Sequence, residues 1–173
     1  MYSLAVKNKV KWFIDTYGEG IAQAIKGTGL YFPAVVAQTA LESGWGKSDL
    51  AKYHNNWGGI KCAPSLEGAI GCVKMDTTEW TKSGKSYKTK QSFTKFRDTK
   101  SGMKAHLQVL MADRYAKARN NAKSAKEQIR MIAQAGYIQN GENLSNGLAD
   151  KYLASMAGII EAAQDYNGLG RIS

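Results

Sequence analysis

From Phe32 to Leu41 the chain reads Phe-Pro-Ala-Val-Val-Ala-Gln-Thr-Ala-Leu, with no charged side chain. Pro33 stands where the first turn of a helix tolerates a residue without an N–H, and Gly44 follows as a stop, so the run predicts a helix over residues 32–43. Because it is apolar on nearly every side, it has to be the buried central helix of its fold. Its covering elements are legible too. Val6, Val10, Phe13, Ile14 and Tyr17 recur at helical spacing, which predicts an amphipathic helix over residues 3–17 stopped by Gly18, followed by a shorter piece over residues 21–25. Helical periodicity returns with Met103, Leu107, Leu110 and Met111, again over residues 125–135, and last over residues 148–166.

The middle is different in kind. Residues 58–97 are rich in glycine and hold no sustained 3.6 period, while Val73-Lys-Met-Asp-Thr-Thr-Glu-Trp and Tyr87-Lys-Thr-Lys-Gln-Ser-Phe-Thr-Lys-Phe are rich in strand formers. They flank Lys82-Ser83-Gly84-Lys85, a turn, and so predict a two-stranded hairpin. The expected class is α+β, mostly helical, with one small β lobe at about 58–97. A chain of 173 residues can bury a core without a metal or disulfide and is short of two independent domains, so a single domain over 1–173 is expected. No internal repeat, linker or attached wall-binding module is visible, and the tail from Gly168 reads as frayed.

Twenty-four Lys plus Arg against 14 Asp plus Glu give a net charge of +10, which favours a polyanionic partner without choosing among nucleic acid, anionic lipid and wall polymer. No helix-turn-helix, RNA-recognition or zinc-finger pattern accompanies the lysines, so no nucleic acid is expected. No apolar stretch approaches the length of a membrane span, and Lys7, Lys9 and Lys11 interrupt the one segment that could imitate a signal peptide. Two cysteines and two histidines without ligand spacing predict no metal, and no cofactor is expected. Cys62 and Cys72 could close a short loop in an oxidising compartment or remain two packed thiols.

Glu42 is the first candidate for chemistry. It is a carboxylate in the last turn of an otherwise uncharged helix, where burial, apolar neighbours and the negative end of the helix dipole would all favour the protonated acid. A carboxylic acid still protonated near neutral pH suits a general acid, whereas a glutamate paired with Lys47 at the helix rim would be structural only.

The surrounding string carries more information. Ala40-Leu-Glu-Ser-Gly-Trp-Gly-Lys-Ser48 closely resembles the A-L-E-S-G-W-G-x-S signature of bacterial cell-wall glucosaminidases, glycoside hydrolase family 73. Asn55-Asn-Trp-Gly-Gly-Ile-Lys-Cys62 resembles the family's N-N-x-F-G-I-K segment, and Thr77-Thr-Glu-Trp80 its T-x-E-aromatic strand. Phe93-Thr-Lys-Phe-Arg-Asp-Thr-Lys-Ser-Gly-Met103 and Ala135-Gly-Tyr137 complete the order. Two departures stand out: Gly58 replaces an aromatic residue, and Ile-Gln-Asn-Gly-Glu-Asn follows Tyr137 in place of Ala-Thr-Asp.

The resemblance implies a lysozyme-like fold and hydrolysis of the β-1,4 bond between N-acetylglucosamine and N-acetylmuramic acid in peptidoglycan, outside the cytoplasm, by a monomer. It assigns the proton donor to Glu42. Glycoside hydrolysis ordinarily uses two carboxyl groups, and Glu79 on the hairpin is the natural second, unless it is a solvated strand residue near Lys82 or Lys95. Where the substrate bears an N-acetyl group, its own amide can act as nucleophile, and Glu79 would then orient or activate. Trp57, Trp80 and Tyr137 are carried over as platforms for sugar faces, with Asn56 as a polar partner. Trp45 and Trp12 read as packing residues. The rivals are a muramidase or lytic transglycosylase on a similar fold, and a silent wall-binding module.

Overall fold

The computed structural model describes residues 1–81, 83, 85–137 and 146–166, with the backbone alone at 80 and 146–149. The chain divides into two compact units, Met1–Leu41 with Leu107–Ser173, and Glu42–His106.

The first unit is helical. Ser3 caps α1 (Leu4–Ile25) by accepting from the Val6 N–H, and the buried stripe of Val10, Ile14, Gly18, Ile21 and Ile25 runs its whole length. Gly18 therefore does not stop the helix, contrary to the sequence expectation. It falls on the inward stripe, where the apolar residues on both sides keep the helix in register at a cost of about 1 kcal/mol relative to alanine. In α2 (Phe32–Glu42) every residue from Ala34 to Ala40 is buried, as its uncharged sequence requires. The entry to α2 is fixed by Gln128, fully buried on α6 (Ala125–Gln134). Its Oε1 accepts from the Tyr31 N–H at 2.8 Å, and its Nε2 donates to the carbonyls of Gly29 at 2.8 Å and Ala118 at 3.2 Å. A 3-10 turn at Asp113–Tyr115 leads into α5 (Ala116–Asn121). Helix α7 (Asn146–Gln164) is tied to α6 by Lys126 to Glu161 at 2.6 Å and Arg130 to Asp150 at 3.1 Å, and Tyr2, just before α1, bonds Asp165, just after α7, at 2.5 Å. Phe13, Tyr115, Ile129, Ile132, Met156 and Ile160 fill the interior of this unit. Trp12 does not join them, being 45% exposed on the outer face of α1.

The second unit holds α3 (Asp49–His54), the hairpin β1 (Ala69–Trp80) and β2 (Ser86–Phe96), and the start of α4 (Thr99–Val109). The strands are antiparallel, with Val73 opposite Phe93, Met75 opposite Gln91, Thr77 opposite Thr89 and Glu79 opposite Tyr87. Residues directly opposite share a face, so these eight side chains lie on one side, and Lys74, Asp76, Thr78, Lys88 and Lys90 on the other. The hairpin is the one expected, and the chain is of the mostly helical α+β class.

Candidate active site

Glu42 is the last residue of α2, and the next four residues turn the chain sharply. Gly44, Trp45 and Gly46 all take left-handed backbone angles, with φ of 56°, 63° and 75°. Glycine adopts that region without penalty at two of the three positions, and Trp45 is held there against its preference. The buried Ser43 fastens the turn: its Oγ accepts from the Gly46 N–H at 2.9 Å, and its carbonyl accepts from the Ser48 N–H at 3.0 Å. Ser48 then caps α3 through the Ala51 N–H. The Ser-Gly-Trp-Gly-x-Ser string is thus the recipe for reversing the chain directly after a helix-terminal carboxylate. Glu42 itself is exposed, so the burial expected from its apolar helix is not what surrounds the carboxyl. The buried part of α2 ends two residues earlier, at Ala40, and Leu41 and Glu42 are both exposed.

The paired asparagines after α3 turn out to be structural. Asn55 ends the helix in a left-handed conformation, which asparagine tolerates, and its Nδ2 donates to the Phe96 carbonyl at 3.1 Å. Gly102 of α4 backs directly onto Asn55, because a β-carbon at 102 would fall 1.6 Å from its carbonyl oxygen. Asn56 is 1% exposed and spends its amide on the main chain: Nδ2 donates to the carbonyls of Ile60 and Thr94, both at 2.9 Å, and Oδ1 accepts from the Ile60 N–H at 2.8 Å. The amide expected to face a sugar is thus bonded to the main chain in this structure. Trp57, expected as a platform for a sugar face, is 2% exposed.

These anchors fix the segment that follows. Thr94, fully buried on β2, accepts from the Ala63 N–H and donates to the Lys61 carbonyl, each at 2.9 Å. Residues 60–62 thereby pair along the free edge of β2, with Lys61 bridged to Phe93. A disulfide joins Cys62 in this segment to Cys72 in β1.

Glu79 lies near the far end of β1, with 28% of its side chain exposed. Lys61 pairs with it, Nζ to Oε1 at 3.3 Å, and Lys82, one of the two lysines expected nearby, lies outside the described residues. The sequence named Lys61 within the Gly-Ile-Lys motif without giving it a task. Trp80 pairs with Ser86 in the ladder, and its side chain lies outside the described atoms. Tyr137 belongs to the first unit, in the turn after α6, where its half-buried ring lies 6.1 Å from that of Tyr115 and 6.5 Å from that of Tyr152. The altered segment that follows Tyr137 is outside the described residues. Among the described residues no group of three or more histidine, cysteine or acidic side chains could hold a metal ion, and no helix is long and apolar enough to cross a membrane.

Glu42, closing a helix, and Glu79, on a hairpin, belong to one compact unit, and glycoside hydrolysis ordinarily uses a pair of carboxyl groups. Residues 18–165 match the glucosaminidase family, described as mannosyl-glycoprotein endo-beta-N-acetylglucosaminidase, and the chain belongs to that family. It is a glycoside hydrolase with a lysozyme-like fold. Among solved structures it is similar to the catalytic domain of the autolysin Auto from Listeria monocytogenes, at 25% identity and a TM-score of 0.68 over 90% of this chain and 86% of that one. A peptidoglycan hydrolase from Sphingomonas sp. A1 shares the fold at 22% identity and a TM-score of 0.66, over 89% of this chain and 98% of that one. So does the glycoside hydrolase domain of FlgJ from Salmonella typhimurium in a truncated form, at 23% identity and a TM-score of 0.63, over 91% and 99%. No curated protein sequence matches the chain.

Proposed function

We propose that this chain hydrolyses peptidoglycan, cutting the β-1,4 bond between N-acetylglucosamine and N-acetylmuramic acid, with Glu42 as the proton donor. The observation that carries the reading is the turn after α2, which leaves Glu42 exposed at a rigid helix end inside a sequence matched to the glucosaminidase family. That the Listeria protein of this fold is an autolysin and the Sphingomonas one a peptidoglycan hydrolase supports a wall polymer as the substrate. The net charge of +10 suits a wall polymer that carries carboxylates and phosphates, and the site of action would be the cell wall, outside the cytoplasm.

In the reaction, the Glu42 carboxyl donates its proton to the glycosidic oxygen as the bond to the sugar carbon breaks. The Glu42 side chain is exposed at the C-terminal end of α2, where a long glycan strand could approach it. Glu79 is the second carboxyl, set to orient the substrate's N-acetyl amide or to activate water.

Mass spectrometry of muropeptides released from purified sacculi tests the reading. Wild type should release fragments ending in reducing N-acetylglucosamine, and Glu42→Gln should release almost none, a loss of roughly 100- to 10,000-fold. Reducing or anhydro N-acetylmuramic acid ends would assign the chain to a muramidase or lytic transglycosylase instead. Turnover of Glu42→Gln within about tenfold of wild type would remove Glu42 as the acid.

A further inference from the structure

We propose that Lys61 is a positioning residue for Glu79: it holds the hairpin curled and takes one carboxylate oxygen so that the other is presented to the glycan. The inference rests on the reading of Glu79 as the second catalytic carboxyl.

The register of the ladder carries the argument. Lys61 is bridged to Phe93, which pairs with Val73, yet its ammonium reaches Glu79, six residues farther along β1. Six residues of straight strand span about 20 Å, much more than a lysine side chain can cover. The ion pair therefore exists only because the hairpin bends over its Phe93 face, bringing Glu79 back toward its own base. A two-stranded ribbon without a third full strand has little of its own to hold such a bend. Lys61 adds a tether between the base of the bent hairpin and Glu79.

Its backbone is suited to the task. The Thr94 hydroxyl donates to its carbonyl at 2.9 Å, the flanking Thr94 N–H to Ile60 O and Cys62 N–H to Ser92 O bonds are 3.0 and 2.9 Å, and the disulfide begins at the next residue. The side chain then crosses the buried ring of Phe93, with Nζ 4.6 Å from its centroid, before it meets Glu79 Oε1. Other acids of the unit take other cations: Asp76 pairs with Lys90, Glu67 with Lys104 and Asp98 with Arg97. Lys61 and Glu79 are 57% and 28% exposed, and ion pairs of that exposure stabilise a fold little, so the effect belongs in catalysis more than in melting temperature.

The test is a double-mutant cycle on soluble, uncross-linked glycan strands, using Lys61→Met, Lys61→Arg, Glu79→Gln and the Lys61→Met/Glu79→Gln pair, with thermal midpoints measured for each. Methionine keeps the apolar stem over Phe93 and deletes the charge. Lys61→Met should lower kcat by roughly 10- to 100-fold, the scale of a misplaced group, with KM within about twofold. Lys61→Arg should recover most of the loss, which a simple folding defect would not predict. In the Glu79→Gln background Lys61→Met should cost much less, because the ion pair through which it acts is already gone. Lys61→Met at wild-type kcat, or an equal loss with and without Glu79, would overturn the proposal. Should Glu79→Gln turn over normally while Glu42→Gln is dead, the role of Glu79 falls and this inference with it, a result distinct from failure of Lys61 alone.

Discussion

A side chain at Gly58 would begin where the imidazole of His106 lies, its β-carbon 2.3 Å from Nδ1 and 3.2 Å from Cγ. Gly58 stands at the position where the family resembled by the sequence carries an aromatic ring, and His106, 1% exposed, takes up the room here. The space beside position 58 is thus filled by a buried ring contributed by α4. Gly58→Phe should therefore overpack the second unit and cost about 1 to 3 kcal/mol, and His106→Ala in the same chain should return part of it. Thermal melts of the three proteins decide, and a Gly58→Phe chain as stable as wild type would mean that the two positions do not compete.

The same histidine makes a prediction about pH. Burial alone pushes the His106 pKa down from 6.5 to about 4, because the imidazolium would lose its hydration. Between those values the unfolded chain binds a proton that the folded chain refuses. Stability contributed by keeping His106 neutral is full above pH 6.5 and falls as the pH drops toward 4, by about 3 kcal/mol over the window. Unfolding in urea at pH 7, 5.5 and 4.5 should show this slope in wild type and a shallower one in His106→Gln.

The Cys62 to Cys72 bridge should be worth about 3 kcal/mol by loop-closure entropy, since only nine residues lie between the cysteines. Reducing agent should lower the melting temperature and, after alkylation, reveal two thiols that were absent before reduction. Because the bridge begins at the residue after Lys61, reduction should also slow turnover at temperatures where the protein remains folded. Unchanged turnover by the reduced, folded enzyme would separate the bridge from the hairpin's working geometry.

How much of this was legible in the sequence depended on whether the signal was local. The charge-free run of α2 and the strand formers around the Lys82 to Lys85 turn specify their elements by themselves, and both elements are present. Gly18 misled because a glycine's effect on a helix is decided by what its neighbours bury, here Ile14 and Ile21. The six-residue α3 was not anticipated because it is too short to show a period, although Ser48 and Asp49 form an ordinary cap. A motif reports which residues recur and not which way they face. Asn56 and Trp57 were therefore read as facing a sugar, whereas both are buried here, and burial was expected around Glu42, which is exposed. Lys61 and Glu79 were both in view, but their pairing follows from a bend of the hairpin that strand alternation alone does not encode.

Glu79 is where two mechanisms part. If it were the nucleophile of a retaining enzyme, its carboxyl would have to approach to roughly 5 to 5.5 Å of the Glu42 carboxyl in the working state and bond to the sugar carbon. If the substrate's N-acetyl oxygen attacks instead, Glu79 need only hold the amide, and the enzyme never carries a sugar. We expect the second course. A carboxylate committed to Lys61 through Oε1, on a hairpin, is better placed to orient than to attack. Glu79→Gln should then reduce turnover less than Glu42→Gln, because glutamine can still orient an amide whereas no amide can replace the proton that Glu42 gives. The two variants should be compared on the same sacculi, with intact-protein mass spectrometry during turnover of wild type. A sugar bound covalently at Glu79 would refute the substrate-assisted course and make Glu79 the nucleophile. Equal losses in the two variants with no adduct would instead mark Glu79 as a base acting on water, as in an inverting enzyme whose carboxyls stand about 6.5 to 9.5 Å apart.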